Sequence, residues 1–162
     1  MAKDLKELLL HTIKDVYFAE NAITKALPKM QEAAEDTDLK DAFATHLEQT
    51  KEQIQRLEEV FELLGEKAEG VPCEAIKGIL KEGDEVAEEF AGEPALDAGL
   101  IAAAQAVEHY EIARYGAMVS WATQLGLDEV AELLEATLAE EKETDGLLTE
   151  LAEGEANLEA ES

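Results

Sequence analysis

Two glutamates three residues apart, Glu108 and Glu111, interrupt the apolar run "LDAGLIAAAQAVEHYEIARYGAMVSWA" in register with Ile101, Ala104, Tyr115 and Met118. Steps of three and four residues put all of these on one helical face, and the apolar company makes that face the buried one. Glu20 has the same character, four residues after Val16 and three before Ile23. Glu141 continues the steps from Leu134 and Thr137, and Asp145 stands three residues before Leu148. On another stripe His46, Thr50 and Gln53 carry the phase of Phe43 toward Leu57.

Carboxylates gathered in an interior of low dielectric cost several kcal/mol each unless they are protonated, paired with a cation or coordinated to metal. Four glutamates would balance two divalent ions, the arrangement that carboxylate-bridged di-iron and di-manganese bundles use. The pattern therefore predicts a metal site built by Glu20, Glu108, Glu111 and Glu141, with His46 as nitrogen donor and Gln53 or Asp145 completing or orienting the shell. Hard oxygen donors with little histidine favour iron, manganese, magnesium or calcium over thiophilic metals, and one ion or two would fit. The competing reading places each glutamate at the edge of its stripe, reaching solvent or Arg56 and Arg114.

The elements that must position these residues are helices. Ala, Leu and Glu dominate the 162 residues, aromatics make up 5%, and glycine and proline number only 10 and 3, a composition suited to one helical domain. Asp4-x-x-Glu7 has the form of a capping box and opens a first helix to about Ala34, with Pro28 inside it as a kink. An Asp or Thr of "EDTD" suits the cap of a second helix, Asp38 to Leu64, which Gly65 closes. Cys73 to Phe90 reads as a shorter third helix, Pro94 suits the first turn of a fourth running to Gln124, and a fifth spans Asp128 to Leu151. The pattern predicts an all-α, ferritin-like four-helix bundle over residues 1–152, two long hairpins joined by a short crossover helix, with 153–162 as an acidic, frayed tail.

Height along the bundle tests the site independently. Glu111 lies fifteen residues before Gly126 and Glu141 fifteen after it, so the two should face each other. Glu20 lies sixteen residues before Asp36 and Thr50 to Gln53 fourteen to seventeen after it, with His46 a turn nearer the connection.

Asp and Glu number 39 against 13 Lys and Arg, a net charge of −26. Such a surface repels nucleic acid and anionic membranes. Acidity spread over every helix resembles the surfaces of halophilic proteins, where concentrated salt screens self-repulsion. No long uncharged apolar run or signal-peptide pattern occurs, which predicts a cytoplasmic protein. The lone Cys73 is expected to be buried and inert.

The segments "LPKM" after "YFAE", "HLEQTKEQIQRLEEVF", "GLIAAAQAVEHYEIARYG" and "EEKETDGLLTELA" resemble the YciE/YciF-like stress-response family over nearly the whole chain. The resemblance implies a ferritin-like bundle, often a homodimer, distantly similar to rubrerythrins and other di-iron proteins. Carried over, it matches Glu20 to the first-helix glutamate, Glu108 and Glu111 to the Glu-x-x-Glu of the third bundle helix, and Glu141 to the fourth. The histidines do not carry over: Thr50 and Gln53 stand for Glu-x-x-His on the second helix, and Thr144 for the histidine after Glu141. His46 is the substitute imidazole or a core histidine, His109 lies outside the face and His11 at the surface.

Three functions follow. One is a redox or peroxide-handling di-metal protein with Tyr17 and Tyr115 beside the glutamates. Another is a metal-binding bundle without turnover. The third is a structural or partner-binding bundle whose site has decayed to a polar network. The small-residue run "AGLIAAAQAV" is wider in apolar character than one internal stripe needs and predicts a homodimer face.

Overall fold

The computed structural model describes residues 3–162, and among these the regular structure is entirely helical. Helix α1 (Leu5–Ala33) opens on the expected capping box: Glu7 N donates to Asp4 Oδ1 at 2.9 Å and Asp4 N to Glu7 Oε2 at 3.0 Å. It continues through Pro28. Helix α2 (Thr37–Leu63) is capped by Asp36, which accepts from Leu39 N at 2.9 Å, and Gly65 ends it at φ +69°, a conformation open to glycine. The crossover helix α3 (Glu74–Glu89) has Cys73 as its N-cap; α4 is Leu96–Gln124 and α5 Asp128–Leu151.

Each hairpin packs internally, α1 on α2 and α4 on α5, and the pairs meet through α1 with α4 and α2 with α5. The end of α1 meets the start of α4, so these two run antiparallel and α2 runs parallel to α4. That parallel pair is what a connection spanning the bundle's length produces, and α3 is that connection. It lies along α1 and α4 with Cys73 beside Tyr110, Gly83 beside Ala103 and Val86 beside Gly99. A Cβ at Gly99 would stand 2.6 Å from Val86 Cγ1, so the missing side chain permits this close approach.

The covering by α3 accounts for part of the apolar breadth of α4. Part of the run "AGLIAAAQAV" serves neighbouring helices of its own chain, while Ala102 and Ala106 stay exposed on its outer side. Two boundaries also differ from expectation. Pro94 sits in the turn ahead of α4, whose first helical residue is Leu96. Beyond Leu151 the backbone continues helically through a π-turn, Ala152–Ala156, and α6, Asn157–Ala160, where the sequence suggests a frayed tail. Ala156 is buried against the core there, which ties the turn down.

The apolar core divides in two. One half gathers Leu9, Ile13, Val16, Leu57, Phe61, Tyr115, Met118 and Leu134, and the other Ile23, Leu27, Phe43, Leu100, Ile101, Ala104 and Leu148. Glu20, His46, Glu108, Glu111 and Glu141 occupy the chain positions between the halves, forming a polar layer across the middle.

No helix among the described residues is long and apolar enough to cross a membrane.

Candidate metal centre

Four helices each deliver acid or imidazole into that layer: α1 gives Glu20, α2 His46, α4 Glu108 and Glu111, and α5 Glu141. All four glutamates are 0% exposed and His46 is 3% exposed. Their ligating atoms form two triads, His46–Glu108–Glu141 and Glu20–Glu111–Glu141, within each of which the atoms lie within 4.8 Å of one another. Glu141 belongs to both triads.

Hydrogen bonding leaves most of this layer unanswered. Taken as ionised carboxylates, which only accept, both oxygens of Glu108, Glu111 and Glu141, together with Glu20 Oε2 and His46 Nε2, are buried without a donor, although Glu108 and Glu111 lie within hydrogen-bonding reach of Glu141, and Glu20 of Glu111, should one of each pair hold a proton. His46 Nε2 lies 2.9 Å from Glu108 Oε1 and 4.0 Å from Glu141 Oε2, yet the close contact lacks the alignment of an N–H···O bond. One bond does reach the layer: Tyr115 Oη donates to Glu20 Oε1 at 2.8 Å. Neither arginine neutralises the glutamates. Arg56 Nη1 donates to Glu140 Oε1 at 2.6 Å and Oε2 at 2.9 Å, and Arg114 lies over the Tyr110 ring, which excludes the edge-pairing reading.

Burial governs the protonation of the layer. It pushes Glu20 up to about 8, with the charge of Glu141 adding to the shift. It pushes Glu108 to about 8 as well, with Glu20 and Asp145 contributing and the contact with Glu141 opposing. Glu111 and Glu141 are raised well above the usual carboxylate range by burial first and neighbouring carboxylates second. Burial lowers His46, against the pull of Glu141 and Glu20, and so favours the neutral imidazole that can ligate. Without a cation, the layer can relieve its charge only by holding protons.

The remaining expected residues sit outside the triads. Gln53 is buried, but its amide nitrogen donates to Glu140 Oε1 at 3.4 Å, leaving Oε1 unpartnered. Asp145 is half-buried at the α4–α5 seam, 3.1 Å from His109 Nε2 and 3.5 Å from its donor Gln105 Nε2, and so belongs to a surface network. Thr50 Oγ1 donates to His46 O at 2.7 Å and is thereby satisfied within its own helix. His109 and His11 are exposed as expected. Tyr17 is not at the layer: its hydroxyl donates to Glu58 and its ring packs edge-on against Phe61. Cys73 is buried, its sulfur accepting from Ile76 N at 3.4 Å and lying 3.1 Å from Tyr110 Oη. Sequence reasoning missed the Glu140–Arg56 pair, although Arg56 stands three residues from Gln53 and Glu140 adjoins Glu141.

The donor set fits the metals that the pattern suggests. Hard carboxylates and one imidazole converge on orphaned buried atoms, and the shared Glu141 joins two adjacent triads.

A family model described as a domain of unknown function, DUF892, matches residues 4–161. The chain belongs to the DUF892 family. This DUF892 chain is 43% identical over 161 residues to Protein YciF of Escherichia coli (strain K12), covering 99% of this chain and 97% of that protein. The crystal structure of the E. coli stress protein YciF matches with a TM-score of 0.92, covering 96% of this chain and 99% of that one. YcfI of Rhodopseudomonas palustris, described as a candidate structural protein, is 50% identical with a TM-score of 0.88, covering 91% and 94%. A Xanthomonas campestris pv. campestris protein is 28% identical with a TM-score of 0.70, covering 93% and 92%. The DUF892 fold is thus the helical bundle described above, and the YciF-like resemblance holds over the full length.

Proposed function

We propose that this YciF-like chain is a cytoplasmic stress protein whose bundle core holds one or two iron or manganese ions. The observation that carries the reading is the convergence of unpartnered buried donor atoms from four helices on two triads sharing Glu141. A bound ion would supply Lewis acidity and, being redox-active, electron transfer in a site shut off from solvent. His46 supplies a neutral nitrogen to one triad, while Glu20, Glu111 and Glu141 supply oxygen alone to the other. Tyr115 fixes the Glu20 carboxylate and holds a proton at its hydroxyl. Arg56 and Glu140 close the α2–α5 seam over Gln53.

A second reading has its own support. Thr50 and Gln53 turn their donors to the backbone and to Glu140, so the second helix supplies only His46. A structural or partner-binding bundle with a decayed site, its carboxyls neutral, would use the same geometry without metal.

Metal analysis separates the two. Protein purified without chelator, then incubated anaerobically with Fe(II) or Mn(II), should retain stoichiometric metal and melt at higher temperature. Absence of bound metal together with an unmoved melting curve would leave only the polar-network reading.

A further inference from the structure

The centre is shielded unevenly along the α2–α5 seam. Toward the end of α2, the Arg56–Glu140 pair places a guanidinium beside Gln53. Toward the start of α2, a cleft of about 430 Å³ opens between the same two helices, and His46 forms part of its wall. Asp38 and Asp41 of α2 and Glu143 and Glu150 of α5 also line it, all exposed, and no lysine or arginine lines it. His46 connects the two regions: it borders the cleft, while its Nε2 stands 2.9 Å from Glu108. Gln49 and Thr144, one turn from His46 and Glu141 respectively, also line the cleft and hydrogen-bond across the seam at 3.3 Å.

We propose that this cleft, whose walls carry four exposed acids among apolar side chains, is a transit site through which hydrated divalent cations reach His46 and then the carboxylate layer. The proposal rests on the metal-binding reading above. Uncompensated carboxylates in a concave cleft concentrate cations and speed their capture, whereas at the other end of the seam the Arg56 guanidinium already neutralises Glu140 and leaves no such field. Each carboxylate can exchange hydrogen bonds with the ion's water shell. His46 at the inner wall then offers the first side-chain donor beyond the acids, 2.9 Å from Glu108 of the layer. The Gln49–Thr144 bond joins two uncharged side chains, a weaker closure than the Arg56–Glu140 pair.

The test is the rate of Co(II) uptake by the full chain, followed by the visible absorption of the bound ion in stopped flow, with total bound metal measured at saturation. D41N/E143Q should slow uptake at low ionic strength by at least about threefold, a modest share of what steering fields can supply. The difference should shrink toward zero at ~1 M salt, where screening is short-ranged. Final stoichiometry should be unchanged. Thr45→Trp, placing a bulky ring at an exposed position of the cleft wall, should slow uptake at every salt concentration. Circular dichroism confirms that each variant is folded, and the two variants act at separate positions, so failure of one leaves the other decisive. Wild-type uptake with equal rates in both variants would overturn the route while leaving the metal centre standing. A wild-type chain that takes up no Co(II), Fe(II) or Mn(II) would overturn both.

Discussion

His46 Nε2 stands 2.9 Å from Glu108 Oε1 without forming an aligned hydrogen bond, although both groups are buried. A buried imidazole beside a buried carboxylate ordinarily aligns with it, because an unmade bond there costs about 1–3 kcal/mol. The two atoms instead share an approach to Glu141.

The shared position of Glu141 sets the order of mutational effects. Glu141→Gln should remove metal binding at both triads, Glu111→Gln should affect chiefly the Glu20 triad, and His46→Gln chiefly the Glu108 triad. Bound iron or manganese per chain, measured after equilibration and desalting, should fall most in Glu141→Gln. In metal-free protein, Glu111→Gln and Glu141→Gln should each raise the melting temperature by a few degrees, on the order of 1 kcal/mol, by removing a buried acid from an uncompensated cluster. Equal metal content across the three variants would contradict the shared-ligand geometry.

The stability of metal-free protein should fall as pH rises. Glu20 and Glu108 move from 4.5 to about 8 on folding, so their contribution is fully present below 4.5 and is lost as pH climbs through about 8. Glu111 and Glu141 act in the same direction. His46 acts oppositely, its lowered value giving stability that is lost as pH falls, but it is one group against four. Urea midpoints between about pH 5 and about pH 8 should therefore decline, less steeply in Glu111→Gln, and Mn(II) should oppose the decline. Working at high salt removes the general repulsion of the acidic surface from the comparison.

Salt should stabilise the fold. With a net charge of −26, self-repulsion is long-ranged at ~0.1 M salt, where the Debye length is ~10 Å, and largely screened at ~1 M, where it is ~3 Å. A melting temperature that rises across this range is expected. A flat or falling curve, by scanning calorimetry, would rule out the halophilic reading of the surface.

Asp97 should matter to stability without touching the metal centre. Its Oδ1 accepts from Glu35 N at 2.9 Å and its Oδ2 from Asp36 N at 2.8 Å, tying the α1–α2 turn to the start of α4. Asp97→Ala leaves two backbone donors unanswered and should cost about 2–4 kcal/mol, since bonds to a charged group are each worth about 1.5–3 kcal/mol. Asp97→Asn, keeping one acceptor, should lose roughly half as much. Chemical denaturation measures both, and unchanged metal stoichiometry would show the effect to be confined to the scaffold.

The helices α1 to α5, the buried face of each long helix and the glutamates of the layer were legible because each is a local or periodic property. Val16–Glu20–Ile23 and Ile101–Ala104–Glu108–Glu111–Tyr115 declare a polar residue on an apolar stripe by spacing alone, and counting from Gly126 levels Glu111 with Glu141. Periodicity also places Gln53 and Asp145 near the layer, but it does not determine where a side chain turns. Gln53 directs its amide to Glu140 and Asp145 meets His109, because partners on another helix compete for them. Asp97's bonds to the α1–α2 turn join positions more than sixty residues apart, where no local pattern links donor to acceptor. The breadth of the α4 apolar run was visible, but whether α3 or a second chain covers it depends on the path of the crossover. The sequence by itself determined that Glu20, Glu108, Glu111 and Glu141 must leave water. The tertiary structure decided which of them meet, because that depends on the angles and heights at which four separate helices pack.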